Sequence, residues 1–360
     1  MSQHPHHSLM ADLAPEAVQY LLRLRRRYSP ADMRGFLAAA SGRRALVVGE
    51  AIIDEFVYVE PMGKSAKEAV LAARHLSDEA QAGGSLAVAN HIGDLSSRVD
   101  LVTALGDRDA RDQFVRERLH PHVQPRFVYK QDSPTIVKRR FVDAYSSTRL
   151  LEVYEINDQS LTAEDDDRLC GALEELLPTA DAVIVADFGH GLVTKRATRM
   201  LEEGARFLAL NAQTNAANLG FHTISKYRRA DFISIQEREI RLDRRDREGA
   251  LDGLIASLSA DLGTRATLVT RGKYGSLLHS ADGVDVAPSL ARQVVDRLGA
   301  GDAVFSIASL CVAAGVPLDA VSFIANAVGA QAVTVVGNRT AIDRGTLEDY
   351  MELLLTEVSE

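Results

Sequence analysis

A chain of 360 residues, 46% hydrophobic and 25% charged, has the composition of a globular protein with a sizeable core. Its net charge of −9 sets up a field that repels polyanions, which argues against nucleic acid as the main partner but leaves room for a local basic pocket. No window approaches the roughly 18 consecutive apolar residues of a membrane span, and the start lacks a charged-then-apolar leader pattern, so a cytoplasmic protein is the default expectation.

The first ten residues, "MSQHPHHSLM", read as a solvated tail whose histidines have no partnering ligands. Residues 13–40 carry two helical patterns, which makes 1–42 a helical N-terminal extension. Ser29 is placed to cap the second helix, with Pro30 at its first position. The arginine-rich run 23–27 reads as a solvated helix face, with a partner-docking helix as the alternative. From residue 45 short apolar strands recur, at 45–49, 99–106, 181–189, 206–211, 230–235 and 266–272. Helical patterns at 108–119, 163–177, 194–204, 247–262 and 302–315 separate many of them, which predicts a mainly parallel sheet with helices on both faces. Two stretches, 55–74 and 134–154, break the alternation. They look like strand pairs with Lys and Arg on alternate positions, a small antiparallel β-layer projecting from the sheet. Cys170 and Cys311 stand in apolar, helix-like segments without metal-ligand spacing and read as buried free thiols.

Several chemistries lack a footing. "MGKSA" at 62–66 fails as a P-loop because Tyr58 stands where the first glycine is needed, and no G-x-G-x-x-G follows the first strand. H-E-x-x-H, G-x-S-x-G and C-x-x-C are absent. What remains gathers at predicted strand ends. In "LGAGD" (298–302), Gly299, Ala300 and Gly301 allow close backbone approach, and a helix starting near Gly301 would offer its N–H groups to an anion. Asp302 could there take a proton from an attacking hydroxyl, or could equally be a helix N-cap. Asp54 follows the first strand, where its carboxylate could accept two hydrogen bonds from sugar hydroxyls. Gly83-Gly84 precede a helical run, and Asp187 ends a third strand in "ADFGHG". Each alone reads as a β–α turn; together they outline a pocket. The polar run "NAQTNAAN" (211–218) suits a hydroxyl-rich ligand or a surface loop.

The segment "VVDRLGAGDAVF" resembles the signature of the ribokinase-like (PfkB) carbohydrate kinases, D-T-x-G-A-G-D. Matching landmarks run in order over 43–345: "GEAIID", "AGGSLAVAN", "VADFGHGLV", "SIQEREI" and "TRGKYG". Residues 346–360 follow as a C-terminal helix. "PTIVKRRFV" and the stretch 210–242 are similar to the heptose-phosphate kinase branch, which makes heptose 1,7-bisphosphate, while the H-x-G-H motif of the often-fused nucleotidyltransferase is absent. The resemblance implies an α/β three-layer sandwich with a small β-sheet lid, ATP and Mg²⁺ as cofactors, and room for a monovalent cation. It implies Asp302 as base, with the N–H groups of Gly299, Ala300 and Gly301 as anion hole. Asp54, Gly83 and Gly84 would hold the sugar, with Asp187 beside them, and Lys138 and Arg140, on one face of a lid strand, would grip a substrate phosphate. Glu239 would act through Mg²⁺ and its waters, Thr270, Gly272 and Gly275 would lie near the nucleotide phosphates, and Asn326 near adenine. A homodimer paired through the lids, and a separate nucleotidyltransferase docking on the extension, complete the expected partners.

This chain departs from the pattern in places. Ala87 stands where the family's asparagine follows the glycine pair, with Asn90 displaced by three. Gln236 replaces the asparagine of N-x-x-E, Arg297 the signature threonine, and His190 a lysine of the heptose branch. These leave open a catalytically silent binder of sugar phosphate or nucleotide, and a kinase of the same fold for another sugar or a nucleoside.

Overall fold

The computed structural model describes residues 13–215 and 218–357, so the histidine-bearing tail lies outside the described residues. It opens with helices α1 (Pro15–Arg25) and α2 (Pro30–Ser41). Ser29 caps α2: its hydroxyl accepts from Asp32 N, and the Asp32 carboxylate accepts from Ser29 N at 2.8 Å, which satisfies two otherwise bare N–H groups. Tyr20, Leu21, Leu24, Met33 and Leu37 are buried, and Arg23, Arg25, Arg26 and Arg27 are exposed. Strand β1 (Arg44–Gly49) then starts the main sheet, and after Glu50 the chain runs out along β2 (Ala51–Lys64) and back along β3 (Leu71–Gly84) into α3 (Ser85–His91). Next come β4 (Arg98–Arg108), α4 (Asp112–Arg118), β5 (Val123–Pro134), β6 (Ile136–Asp143), β7 (Arg149–Glu155), α5 (Ala163–Leu176), β8 (Ala182–Asp187), α6 (Lys195–Gly204), β9 (Leu208–Ala212) and β10 (Phe232–Gln236). The chain closes with α7 (Glu237–Arg244), α8 (Leu251–Leu262), β11 (Ala266–Thr270), β12 (Ser276–Ser280), β13 (Gly283–Ala287), α9 (Ala300–Ala313), α10 (Leu318–Ala332) and α11 (Arg344–Thr356). Helices α1 and α2 pack on α9 and α11, and Arg27 pairs with Asp319 of α10 at 2.6 Å.

The main sheet has the order β13-β12-β11-β10-β9-β8-β1-β4-β5, parallel from β11 to β5, with β12 and β13 antiparallel at one edge. Alternation along β1 feeds both faces. Ala45 and Val47 join the core beneath α9 and α10, while Leu46 and Val48 join the one beneath α5, α6 and α8. Strand β1 lies between β4 and β8, so connections diverge from it and leave a crevice at the strand carboxyl ends.

A second sheet, β3-β2-β6-β7, forms the lid. It corrects the expected bounds and pairing. The β2–β6 pair runs parallel, because β2 continues from β1 and β6 from β5, and both leave the same edge of the main sheet. Strand β3 extends to Gly84; its stretch 73–78 is mostly exposed whichever way the side chains alternate, so no period marked it. Cys170 and Cys311 are buried free thiols, and burial pushes the Cys311 thiol up to about 12. Among the described residues no helix is long and apolar enough to cross a membrane.

Candidate active site

The signature loop enters α9 through Gly299, whose φ of +78° suits glycine and whose Cβ would lie 2.0 Å from Asn338 Oδ1. The helix ladder begins with Ala303 N donating to Gly299 O at 3.0 Å, so the N–H groups of Ala300, Gly301 and Asp302 stay outside it. Gly301 is open, with Gln236 Nε2 the nearest atom to its missing Cβ at 3.9 Å. Gly299→Ala is expected to cost about 1–3 kcal/mol through backbone strain and clash. Urea unfolding checks this, and turnover should fall with the displaced loop.

Asp302 is not the cap of α9. Gly299 holds that position, and Asp302 sits in the first turn with its side chain buried. One oxygen accepts from Gln213 Nε2 at 2.5 Å. Burial pushes the carboxyl up to about 7. The Gln213 donor opposes that rise, the Asp54 charge adds to it, Lys138 opposes it and Glu239 adds to it. A carboxylate poised near neutrality suits general-base work.

Asp54, on β2, is buried and already bonded. Arg140 Nη1 donates to Oδ1 at 2.6 Å and Asn338 Nδ2 to Oδ2 at 3.3 Å. A Cβ on Gly83 would fall 2.0 Å from Asp54 Oδ2, and one on Gly84, at φ +59°, 2.5 Å from Glu50 O. The glycine pair therefore lets the carboxylate lie against the backbone. Arg140, expected to grip a substrate phosphate, meets Asp54 through Nη1, and its Nε lies 3.4 Å from Glu152. Lys138, two residues before Arg140 on β6, is a buried residue whose ammonium has no hydrogen-bonded acceptor among the described residues. It lies 5.6 Å from the Tyr154 ring centroid and 5.9 Å from that of Phe188. Burial holds Lys138 below the ordinary lysine range.

Asp187, expected beside the sugar, is held by several partners. Its carboxylate accepts from Lys226 at 2.5 Å, Tyr227 at 2.7 Å and Gly189 N at 3.2 Å, and His222 lies 3.3 Å away. Glu239 is buried at the start of α7, where it accepts from Gln236 N and Thr214 N, each at 3.0 Å. Burial raises its carboxyl. Each oxygen keeps a lone pair, which suits a residue that acts on a divalent cation through waters.

Of the residues expected near the nucleotide, Thr270 ends β11, and Gly272 (φ +57°) and Gly275 (φ +78°) shape the turn into β12. A Cβ on Gly275 would meet Ala287 O at 2.0 Å. Asn326, on α10, spends its amide nitrogen on Ser276 Oγ (2.7 Å) and Ser322 O (2.8 Å), which ties the helix to this turn and leaves its oxygen for a ligand. An open cavity of about 960 Å³ reaches Gly299 and Asn338 from the side of the 333–343 loop and α11.

Sequence reasoning missed the residues that brace the site. Glu50 accepts from Phe188 N (2.9 Å) and His190 N (3.0 Å), and Lys130 donates to the carbonyls of Gln159 (2.5 Å) and His190 (3.0 Å). His190 Nδ1 lies 2.6 Å from Asp158, and burial holds the ring below the ordinary histidine range. Asn90 does not replace the missing asparagine, because its amide pins the 118–120 turn through Arg118 O (2.9 Å) and His120 N (2.8 Å). Polarity at the carboxyl end of β9 was the available signal for Gln213, Thr214 and Asn215.

Helix-start N–H groups outside the ladder, beside a buried carboxylate and beneath a lid that carries Lys138 and Arg140, suit phosphoryl transfer to a hydroxyl. The profile of the pfkB family of carbohydrate kinases matches residues 43–344, and the chain belongs to that family. Among curated relatives it is 30% identical over 322 residues to the bifunctional protein HldE of Nitrobacter winogradskyi and 31% identical over 313 residues to that of Rhodopseudomonas palustris, which covers 86% and 84% of this chain. It spans only 64% and 62% of their lengths. Among solved structures it shares the ribokinase fold with a ribokinase-like protein of Agrobacterium tumefaciens (TM-score 0.66, 19% identity, 88% of this chain and 99% of that one). Phosphofructokinase-2 of Escherichia coli with substrates and products gives a TM-score of 0.68 at 14% identity, over 86% and 99% of the two chains.

Proposed function

We propose that this kinase transfers the terminal phosphoryl group of ATP to a hydroxyl of a sugar phosphate, a heptose 7-phosphate phosphorylated at its 1-position. The observation that carries the transfer is Asp302, buried and poised near neutrality, in the first turn of a helix whose first N–H groups lie outside its ladder. Heptose is supported by the similarity of 210–242 to that branch and by the HldE relatives. As the acceptor oxygen attacks, its O–P bond forms, the bond to the bridging oxygen of ADP breaks, and the hydroxyl proton passes to Asp302. The N–H groups of Gly299, Ala300 and Gly301 face the oxygens that gather charge. Asp54, held by Arg140 and Asn338, keeps lone pairs for sugar hydroxyls. Mg²⁺, held through waters by Glu239, would neutralise phosphate charge. Pairing of lids into a homodimer belongs to the same reading and is supported by exposed Met62, Leu71, Leu76 and Leu151 on the lid.

ADP formation measured across a panel of sugar phosphates and their unphosphorylated counterparts tests the proposal, because a silent binder consumes no ATP. Lys138→Met should raise KM for a phosphorylated acceptor about 10- to 100-fold, the worth of one hydrogen bond to a charged group. KM for the same sugar without phosphate should stay within about twofold, by the same reasoning. Equal losses on both acceptors would move Lys138 from the substrate phosphate to the transferred group.

A further inference from the structure

We propose that Gln213 is a positioning residue for the base: its carboxamide N–H fixes one oxygen of Asp302 and turns the other toward the acceptor hydroxyl. This rests on the reading of Asp302 as the general base. Gln213 is the only side-chain donor hydrogen-bonded to the Asp302 carboxylate among the described residues, and the two are 89 positions apart in the chain. Asp54 from β2, Lys138 from β6 and Glu239 from α7 face the same carboxylate only through space. Two of those three repel its charged form, so a neutral donor in direct contact is what keeps a buried carboxylate able to accept a proton.

The donor is itself held at both ends. Gln213 N donates to Asp187 O at 2.9 Å, and the Asp187 carboxylate is locked by Lys226, Tyr227 and Gly189. The next residue, Thr214, gives its N–H to Glu239 at 3.0 Å. Asn215 then donates to Phe188 O at 2.8 Å, and its amide lies 3.5 Å from His190 Nε2. Three consecutive residues leaving β9 therefore meet the base, the acidic residue suited to the cation, and the histidine beside Lys138. Such a strap fixes the carboxylate's rotation before substrate arrives, and pre-set orientation is a large part of what this chemistry needs.

Two substitutions of opposite sign test it. Gln213→Leu removes the donor and should move the acid limb of kcat/KM up by about one pH unit or more, the worth of a hydrogen bond to a charged group. Gln213→Lys puts a cation at the same place and should move the limb down. Near pH 6.5 the Leu variant should lose about tenfold in kcat with acceptor KM within about twofold, and recover part of the loss at pH 8.5. The assay uses ATP with heptose 7-phosphate. In parallel, carboxyl ¹³C NMR titration of the substrate-free protein, with the Asp302 signal assigned by its loss in Asp302→Asn, reads the same shifts without turnover. An inactive Asp302→Asn variant together with unshifted limbs and titrations in both Gln213 variants would overturn the role of Gln213 alone. Near-normal turnover by Asp302→Asn would overturn the base reading and this inference with it.

Discussion

Asp302→Asn is expected to lower kcat by about 10²–10⁴-fold while leaving ATP affinity nearly intact, the usual contribution of a general base. The amide keeps the shape of the carboxylate but cannot take up the hydroxyl proton. The expected nucleotide contacts, from the Thr270–Gly275 turn and Asn326, lie on other elements. The same substitution should stabilise the fold. The folded carboxyl titrates near 7 against an ordinary value of 3.8, so between those values the unfolded chain is ionised while the native one holds its proton. The parent therefore loses stability as pH rises from about 4 to 7, by at most about 4 kcal/mol at 1.36 kcal/mol per unit. Asparagine has no charge to bury, so the variant should be the more stable of the two at pH 8 and close to the parent at pH 4. Urea melts of both proteins at the two pH values check this. A variant no more stable than the parent at pH 8 would show that Asp302 pays no burial cost. Activity held at the expense of stability is a familiar trade at catalytic positions.

Arg140→Leu is the second large effect, a loss of about 3–5 kcal/mol, because it strips the partner from a buried charge. The Arg140 and Asp54 side chains are only 5% and 6% exposed, and they meet at 2.6 Å. Left alone, the Asp54 carboxylate would have to take a proton or draw water into the lid base, and either change displaces the group proposed to hold the sugar. Acceptor KM should rise with the instability. Arg140→Leu combined with Asp54→Leu should recover much of the stability and none of the activity. An arginine that served only as a solvent-facing phosphate grip would cost less than about 1 kcal/mol on removal in the same urea melt, so the size of the loss separates the two roles.

The strand runs and the two catalytic-side glycine features were legible for local reasons. An uninterrupted apolar run such as 45–49 is buried on both faces, and Gly299 and Gly83 are places where a Cβ has no room. The resemblance at 294–305 added what spacing could not, namely the family and its chemistry. Helix α9 begins at Ala300, close to the expected start near Gly301, so Gly299 is its cap and Asp302 lies in the first turn. Strands β5, β12 and β13 went unread. The edge pair β12 and β13 owes its place to antiparallel pairing with β11, a partner that local periodicity does not reveal.

By itself the sequence determined the layered α/β class, the existence of a lid and the glycine loop at residues 299–302 that opens a helix. Those rest on short-range properties: burial period, glycine tolerance and the orphan N–H groups of a helix start. Only the tertiary structure decided which polar side chains are free and which are spent. Arg140 is committed because β2 and β6 run parallel and place it within reach of Asp54, 86 positions away. Asp187 is committed because Lys226 and Tyr227 return beneath it, and Gln213 reaches Asp302 because β9 ends beside α9. A buried polar group has to find its partner wherever the fold brings one, and residue order carries no mark of that choice.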